Sequence, residues 1–96
     1  EQRLARHEFL IAEFYYKSKA YRAALSRLFE IINKYPEFKR MDAVYYYIAD
    51  GYFLSRNYDQ AEPYFIKLIT DYPNSKLVKK AQDKLKTIEA RKKTAK

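Results

Sequence analysis

His7 is the only histidine in a chain of 96 residues that contains no cysteine. Those two counts remove a thiolate zinc site, a cysteine nucleophile and a disulfide framework from consideration. His7 has no second imidazole at a metal-ligand spacing and no nucleophilic partner in a recognisable motif, so it reads as a structural or surface residue. Carboxylates are scattered singly. One pair, Glu13 and Asp50, falls at matching positions of an internal repeat, and it reads as the polar edge of a groove rather than as an acid–base pair. A single glycine, Gly51, leaves no glycine-rich phosphate loop. The residues therefore predict no enzyme, no metal and no cofactor.

Charge points to the end of the chain. Residues 1–75 carry 11 Lys and Arg against 10 Asp and Glu, whereas residues 76–96 carry 9 against 2. The formal net charge of +8 thus belongs almost wholly to the last segment. Lysines near a helix C-terminus complement its dipole and favour solubility. A nucleic-acid or anionic-membrane role would call for a basic folded face as well, and residues 1–75 are balanced. No run of 18 apolar residues exists to span a bilayer. The chain opens on Glu1 with helical periodicity running by Leu4, so we expect an excised or processed piece whose targeting signal has been removed.

The elements that would position these residues are helices. With 48% apolar and 33% charged residues the chain can bury a core, and three prolines with one glycine are too few for a turn-rich β-sandwich. Sliding the sequence against itself reveals a repeat at an offset of 37 residues. Ile11, Ala12, Tyr15, Tyr21, Ala24, Leu28 and Tyr35-Pro36 recur as Ile48, Ala49, Tyr52, Tyr58, Ala61, Phe65 and Tyr72-Pro73. Spacings of three and four place these side chains on one stripe of a helix. The punctuation predicts helices over Arg3 to Lys17, Lys19 to Lys34, Lys39 to Ser55, Tyr58 to Asp71 and Lys76 to Arg91. Asn57 and Ser75 are expected as N-caps, and Pro63 is expected to bend the fourth helix if it starts at Tyr58 but to cost little if Asp59 is the cap.

A helical hairpin of this kind, with its small-residue and aromatic pattern, resembles the 34-residue tetratricopeptide repeat, with three extra loop residues. The expected fold is all-α: two hairpins at about 5–38 and 42–75 and a capping helix at about 76–91, forming a right-handed α-solenoid fragment in one domain (1–92) with a basic tail (92–96). Ala12, Ala24, Ala49 and Ala61 would be close-packing positions, and Tyr15, Tyr21, Tyr52 and Tyr58 would wedge between helices. Leu77, Val78, Ala81, Leu85 and Ile88 would close the last apolar face, with Lys79, Lys80, Asp83, Lys84 and Lys86 towards solvent. Glu8 stands where the second unit has Tyr45, which implies a polar surface or the cut end of the array.

Stacked hairpins bind through the concave face of their first helices. If the resemblance holds, that face carries Arg6, Phe9, Glu13 and Tyr16 from the first helix and Ala43, Tyr46, Asp50 and Phe53 from the third. Aromatic rings with sparse charges suit an extended peptide or a partner helix. For Phe9 and Tyr16 a second reading stays open, packing against a preceding repeat.

The stretch RLARHEFLIAEFYYKSKAYRAALSR, residues 3–27, with Tyr35-Pro36 beyond it, resembles the fourth repeat of the BamD family of outer-membrane assembly lipoproteins, also called ComL or YfiO. The resemblance implies the C-terminal two of five repeats of a periplasmic protein lipidated at an N-terminal cysteine. It also implies a protein partner, the last periplasmic domain of the barrel-assembly protein BamA, faced by the residue that falls here on Arg27. The second unit, NYDQAEPYFIKLITDYPNS, is similar to a broader class of periplasmic repeat proteins, including the TolA-binding cell-division coordinator. Three functions are therefore carried forward: a scaffold of outer-membrane barrel assembly, a generic peptide-groove module in periplasm or cytoplasm, and a nucleic-acid or membrane binder through Lys76 to Lys96. Self-association through exposed repeat ends is also expected, because about three repeats are usually needed for stability.

Overall fold

Prolines and left-handed turns cut the chain into five helices. The computed structural model describes residues 1–94: α1 (Gln2–Lys17), α2 (Tyr21–Lys34), α3 (Met41–Leu54), α4 (Tyr58–Asp71) and α5 (Val78–Thr94). The described residues contain no strand. Successive helices pack antiparallel as hairpins, α1 on α2 and α3 on α4, with α2 against α3 and α5 against α4. This is the all-α repeat architecture that the 37-residue offset predicted.

The two hairpin turns are copies of each other. After α1, Lys19 takes φ 65°, and after α3, Arg56 takes φ 64°. In the first turn the N–H of Lys19 donates to the Tyr16 carbonyl (3.0 Å) and that of Ala20 to the Tyr15 carbonyl (2.9 Å). In the second, Arg56 donates to Phe53 (3.0 Å) and Asn57 to Tyr52 (2.8 Å). This pair of bonds is a Schellman motif, which satisfies the last carbonyls of the helix. It explains why α2 starts at Tyr21 and not at Lys19, since a residue at positive φ cannot belong to a right-handed helix. It also corrects the capping expectation: Asn57 holds the N-cap position of α4 but makes no side-chain capping bond.

The turns after α2 and α4 also match. Tyr35 and Tyr72, each before a proline, leave the helical region at φ −133° and −131°. One-turn loops follow, closed by Met41 N–H to the Phe38 carbonyl and Val78 N–H to the Ser75 carbonyl, both 3.2 Å. These loops delay α3 and α5 by two residues relative to the expected starts. Ser75 caps the loop, accepting from Leu77 N–H (3.1 Å) and donating to Asp42 Oδ2 (2.6 Å), which ties it to the start of α3. The helix α4 continues through Pro63, whose ring is exposed and whose missing N–H leaves only the Asp59 carbonyl without its bond.

Small residues let the helices approach. Ala12, Ala49 and Ala61 have no exposed surface and Ala24 almost none, and a Cβ on Gly51 would sit 3.5 Å from Leu25 of α2. Around them Phe9, Leu28, Ile31, Val44, Ile48, Phe65, Leu68 and Ile88 are fully buried. The four wedge tyrosines are half-buried rather than enclosed. One apolar face is bare. Met41, Ile48 and Gly51 of α3 are buried, whereas Leu4 and Phe14, which precede Met41 and Gly51 by one repeat, are 51% and 66% exposed. The second hairpin is backed by α2; among the described residues nothing backs α1.

Candidate functional site

The first helices of the two hairpins and the cap, α1, α3 and α5, are joined on one side of the molecule by three polar contacts. The Tyr16 hydroxyl donates to Asp50 Oδ2, the Tyr47 hydroxyl donates to Glu13 Oε2 at 2.6 Å, and Lys84 Nζ lies 3.0 Å from Asp50 Oδ1. In each contact the partners are 34 residues apart. The geometry follows from the repeat: a step of 37 reaches the equivalent position of the next first helix, and a step of 34 reaches the same face one helical turn earlier.

Aromatic rings surround this ladder. Tyr16 lies 4.4 Å from Tyr47, centroid to centroid. Tyr47 stacks on Phe9 at 5.6 Å, and Phe9 also meets Phe38 at 5.6 Å with the Arg40 guanidinium 4.8 Å above its ring. Tyr46 and Phe53 both make T-shaped contacts with Phe65, at 5.8 and 6.3 Å. The Lys84 ammonium sits 4.4 Å over the Phe53 ring, so it is held by a carboxylate and a π-face together.

The inner-face residues expected from sequence are brought together to different degrees. Glu13, Tyr16 and Asp50 belong to the ladder, and Tyr46 and Phe53 to the aromatic wall. Phe9 has no exposed surface, because α1 packs it between Phe38, Tyr47 and Arg40; its ring is core. Arg6 and His7 lie exposed on α1. Arg27 stands apart on α2, its guanidinium 3.4 Å from Glu8 Oε1 and its side chain 39% exposed. Glu8, which stands where the second unit has Tyr45, is the partner of Arg27.

Two members of the site were not read from the sequence, Tyr47 and Lys84. Lys84 was assigned to the solvent side of the capping helix; the structure corrects this, since its long side chain bends back to a carboxylate that is 3% exposed. An offset of 34 residues from carboxylate to donor joins Glu13 to Tyr47 and Asp50 to Lys84, but it also joins Glu30 to Tyr64 and Asp42 to Lys76, so spacing alone does not single the ladder out.

Burial shapes the electrostatics. Burial pushes the Tyr46 phenol up to about 12, helped by the Asp50 carboxylate. Burial and then the bond to Asp50 raise Tyr16 further, and burial and the bond to Glu13 raise Tyr47. A phenol whose folded value lies above its unfolded value contributes stability below the unfolded value, near 10, and loses it as pH rises through the folded value. Urea midpoints are therefore expected to hold between pH 7 and 9 and to fall steadily above pH 10. Tyr46→Phe should flatten that fall, and a midpoint that does not move between pH 9 and 11.5 would refute the assignment.

Among the described residues no group of three or more His, Asp and Glu is placed to hold a metal ion, and no helix is long and apolar enough to cross a membrane. The arrangement offers surface and charge for recognition. Comparison with known proteins agrees with that reading. The outer membrane lipoprotein family YfiO matches residues 1–57, and a tetratricopeptide repeat family matches residues 43–75. The outer membrane protein assembly factor BamD of Rickettsia prowazekii (strain Madrid E) is 34% identical over 73 residues, which cover 76% of this chain and 29% of that relative. The chain therefore spans less than a third of the length of the curated relative it matches. With the first hairpin and the start of the second inside the lipoprotein match and the second hairpin inside the repeat match, the chain belongs to the YfiO family of outer membrane lipoproteins and is a BamD-like tetratricopeptide-repeat protein.

Proposed function

We propose that the chain is a non-catalytic protein-interaction scaffold, the C-terminal part of a BamD-like lipoprotein that works in outer-membrane barrel assembly on the periplasmic side. The observation that carries this reading is the Arg27–Glu8 pair within the matched segment. Glu8 holds the guanidinium at 3.4 Å while the side chain stays 39% exposed, so it is pre-oriented and still open to a carboxylate on a partner. A planar, permanently charged fork is suited to such a contact. The BamA-like periplasmic domain is the partner we assign. The bare apolar face of α1 is the place for a further repeat of the longer protein.

Titration of the chain against the purified periplasmic region of the barrel-assembly protein tests this. Arg27→Glu is expected to weaken binding by about tenfold to a hundredfold, the effect of reversing one close interface charge, while the lost half-exposed pair with Glu8 lowers the melting temperature by only about 4–8 °C. Unaltered affinity would remove Arg27 from the interface. A second reading places the partner, an extended peptide, on the inner face. It draws support from the half-exposed Phe53 ring and Lys84, and it predicts that Phe53→Ala weakens binding while Arg27→Glu does not. Tyr46 and Asp50 are 8% and 3% exposed, so such a peptide would meet little of either.

A further inference from the structure

The lysines of α5 divide by the direction they face. Lys84 and Lys92 turn towards the fold and are neutralised there, Lys84 by Asp50 at 3.0 Å and Lys92 by Glu62 at 2.8 Å and Asp59 at 3.2 Å. Lys79, Lys86 and Lys93 follow one another at intervals of seven residues. Seven residues fall 20° short of two full turns, so these three form a row, about 10.5 Å between members. The row lies on the side of the helix opposite the buried Ala81 and Ile88 and is exposed. Lys93 meets Glu89 loosely at 3.6 Å. Lys79 and Lys86, with Lys80 on the flank and Lys76 just before the helix, have no ion-pair partner among the described residues.

We propose that this outward face of α5 is a docking surface for anionic phospholipid head groups, which sets the orientation of the domain on the membrane. Three features favour a lipid surface over a protein. The cations of the row are lysines, compact hydrated point charges suited to diffuse attraction, and not forked guanidiniums suited to a single carboxylate. The large exposed apolar side chains of the molecule are Leu4, Leu10, Phe14, Leu54 and Ile66, and α5 contributes none of them. The face thus lacks the aromatic or aliphatic anchor around which protein hot spots form. A lipoprotein family, finally, keeps its members at a membrane surface, where a polybasic patch acts as the second of two membrane signals. The balance of charge over residues 1–75 does not oppose this mode. Residues 1–75 carry nearly equal numbers of both signs, and the excess of cations lies on α5, where the outward lysines outnumber the exposed Asp83 that shares their side, within the Debye length of about 8–10 Å over which a surface potential is felt. The proposal does not depend on what Arg27 contacts.

Flotation of the 96-residue chain with vesicles tests it, using phosphatidylcholine alone and phosphatidylcholine with 30% phosphatidylglycerol, at low and at physiological salt. The chain is expected to float with the anionic vesicles, to stay behind with the neutral ones, and to lose at least tenfold in partition at the higher salt. Lys79→Glu/Lys86→Glu should lose at least tenfold at low salt with an unchanged circular dichroism spectrum. Lys17→Glu/Lys19→Glu, an equal change of net charge at the far end of α1, should retain binding. Absence of flotation at low salt, equal loss in both double variants, or flotation with neutral vesicles would each overturn the proposal. So would tighter binding of a short DNA duplex through the same lysines.

Discussion

Asp50→Ala is expected to lower the stability of the chain by about 2–4 kcal/mol. Asp50 is the only charged residue that is buried among the described side chains, at 3% exposure. Two groups depend on it. The Tyr16 hydroxyl on α1 donates to one of its oxygens, and the Lys84 ammonium on α5 lies 3.0 Å from the other. That second oxygen has no hydrogen bond and is satisfied by charge alone. Removing the carboxylate strands a half-buried phenol and a half-buried ammonium at once, which is the costly way to break an internal ion pair. Lys84 retains 29% exposure and can turn to solvent, which holds the cost below that of a fully buried pair. For a domain of this size the loss corresponds to a melting temperature about 8–32 °C lower. Asp50→Asn should fall between wild type and Asp50→Ala, because its amide oxygen still accepts from Tyr16 while its N–H₂ group faces an ammonium. The coupling also has a signature. Tyr16→Phe costs stability in the wild-type background and should cost little in the Asp50→Ala background, a non-additivity that thermal melts of the four proteins measure directly. Additive effects would mean that the network does not join α1 to α3.

That network shows how far the sequence could be followed. The 37-residue repeat revealed the hairpins and the alanines of the close contacts, and the one-sided apolar stripe of the last segment revealed the apolar side of α5, because each is a spacing of apolar or small residues and such spacings survive translation into helix faces. The repeat placed Glu13 and Asp50 at equivalent positions but left their partners open. Tyr47 and Lys84 lie 34 residues beyond them, one turn short of the repeat, and a comparison made only at an offset of 37 passes over them. Lys84 misled for a second reason. Binary patterning puts a lysine outside, yet its four methylenes reach past Phe53 to a buried carboxylate. The hairpin turns were hidden as well. Left-handed residues are usually read from glycine, and here Lys19 and Arg56 adopt that conformation because the Schellman bonds on either side fix it. The resemblance to tetratricopeptide repeats puts Phe9 on the inner face. The depth of a position depends on what lies across from it, in this case Phe38 and Arg40, which sit in the irregular connection between α2 and α3 where periodicity carries no information.

The second large effect concerns the hold of the second hairpin on the rest of the chain. Phe65→Ala is expected to cost about 3–5 kcal/mol, the usual price of emptying a fully buried phenyl site. Phe65 has no exposed surface and makes T-shaped contacts with Tyr46 and Phe53 of α3. Both neighbours are rings, too stiff to collapse into the space, which places the cost in the upper part of that range. Phe65→Leu copies the residue found one repeat earlier, Leu28, which is also fully buried, and it should cost about 1–1.5 kcal/mol. Each helix of a solenoid is held by its neighbours alone. A cavity at the α3–α4 contact therefore weakens the seat of α4 and, through it, of α5. What remains would be α1 to α3, short of the three repeats or so that a stable array needs. The variant should accordingly unfold in one transition, at a lower urea midpoint and with an unchanged slope, and not by early release of α4 and α5 from a surviving core. Far-ultraviolet dichroism, which sees all five helices, and tyrosine fluorescence, unobscured in a chain without tryptophan, report the two outcomes: coincident curves are expected. Separate curves would show that the first hairpin and α3 stand alone, and a loss no greater than that of the exposed Ile66→Ala would show that Phe65 does not hold the contact.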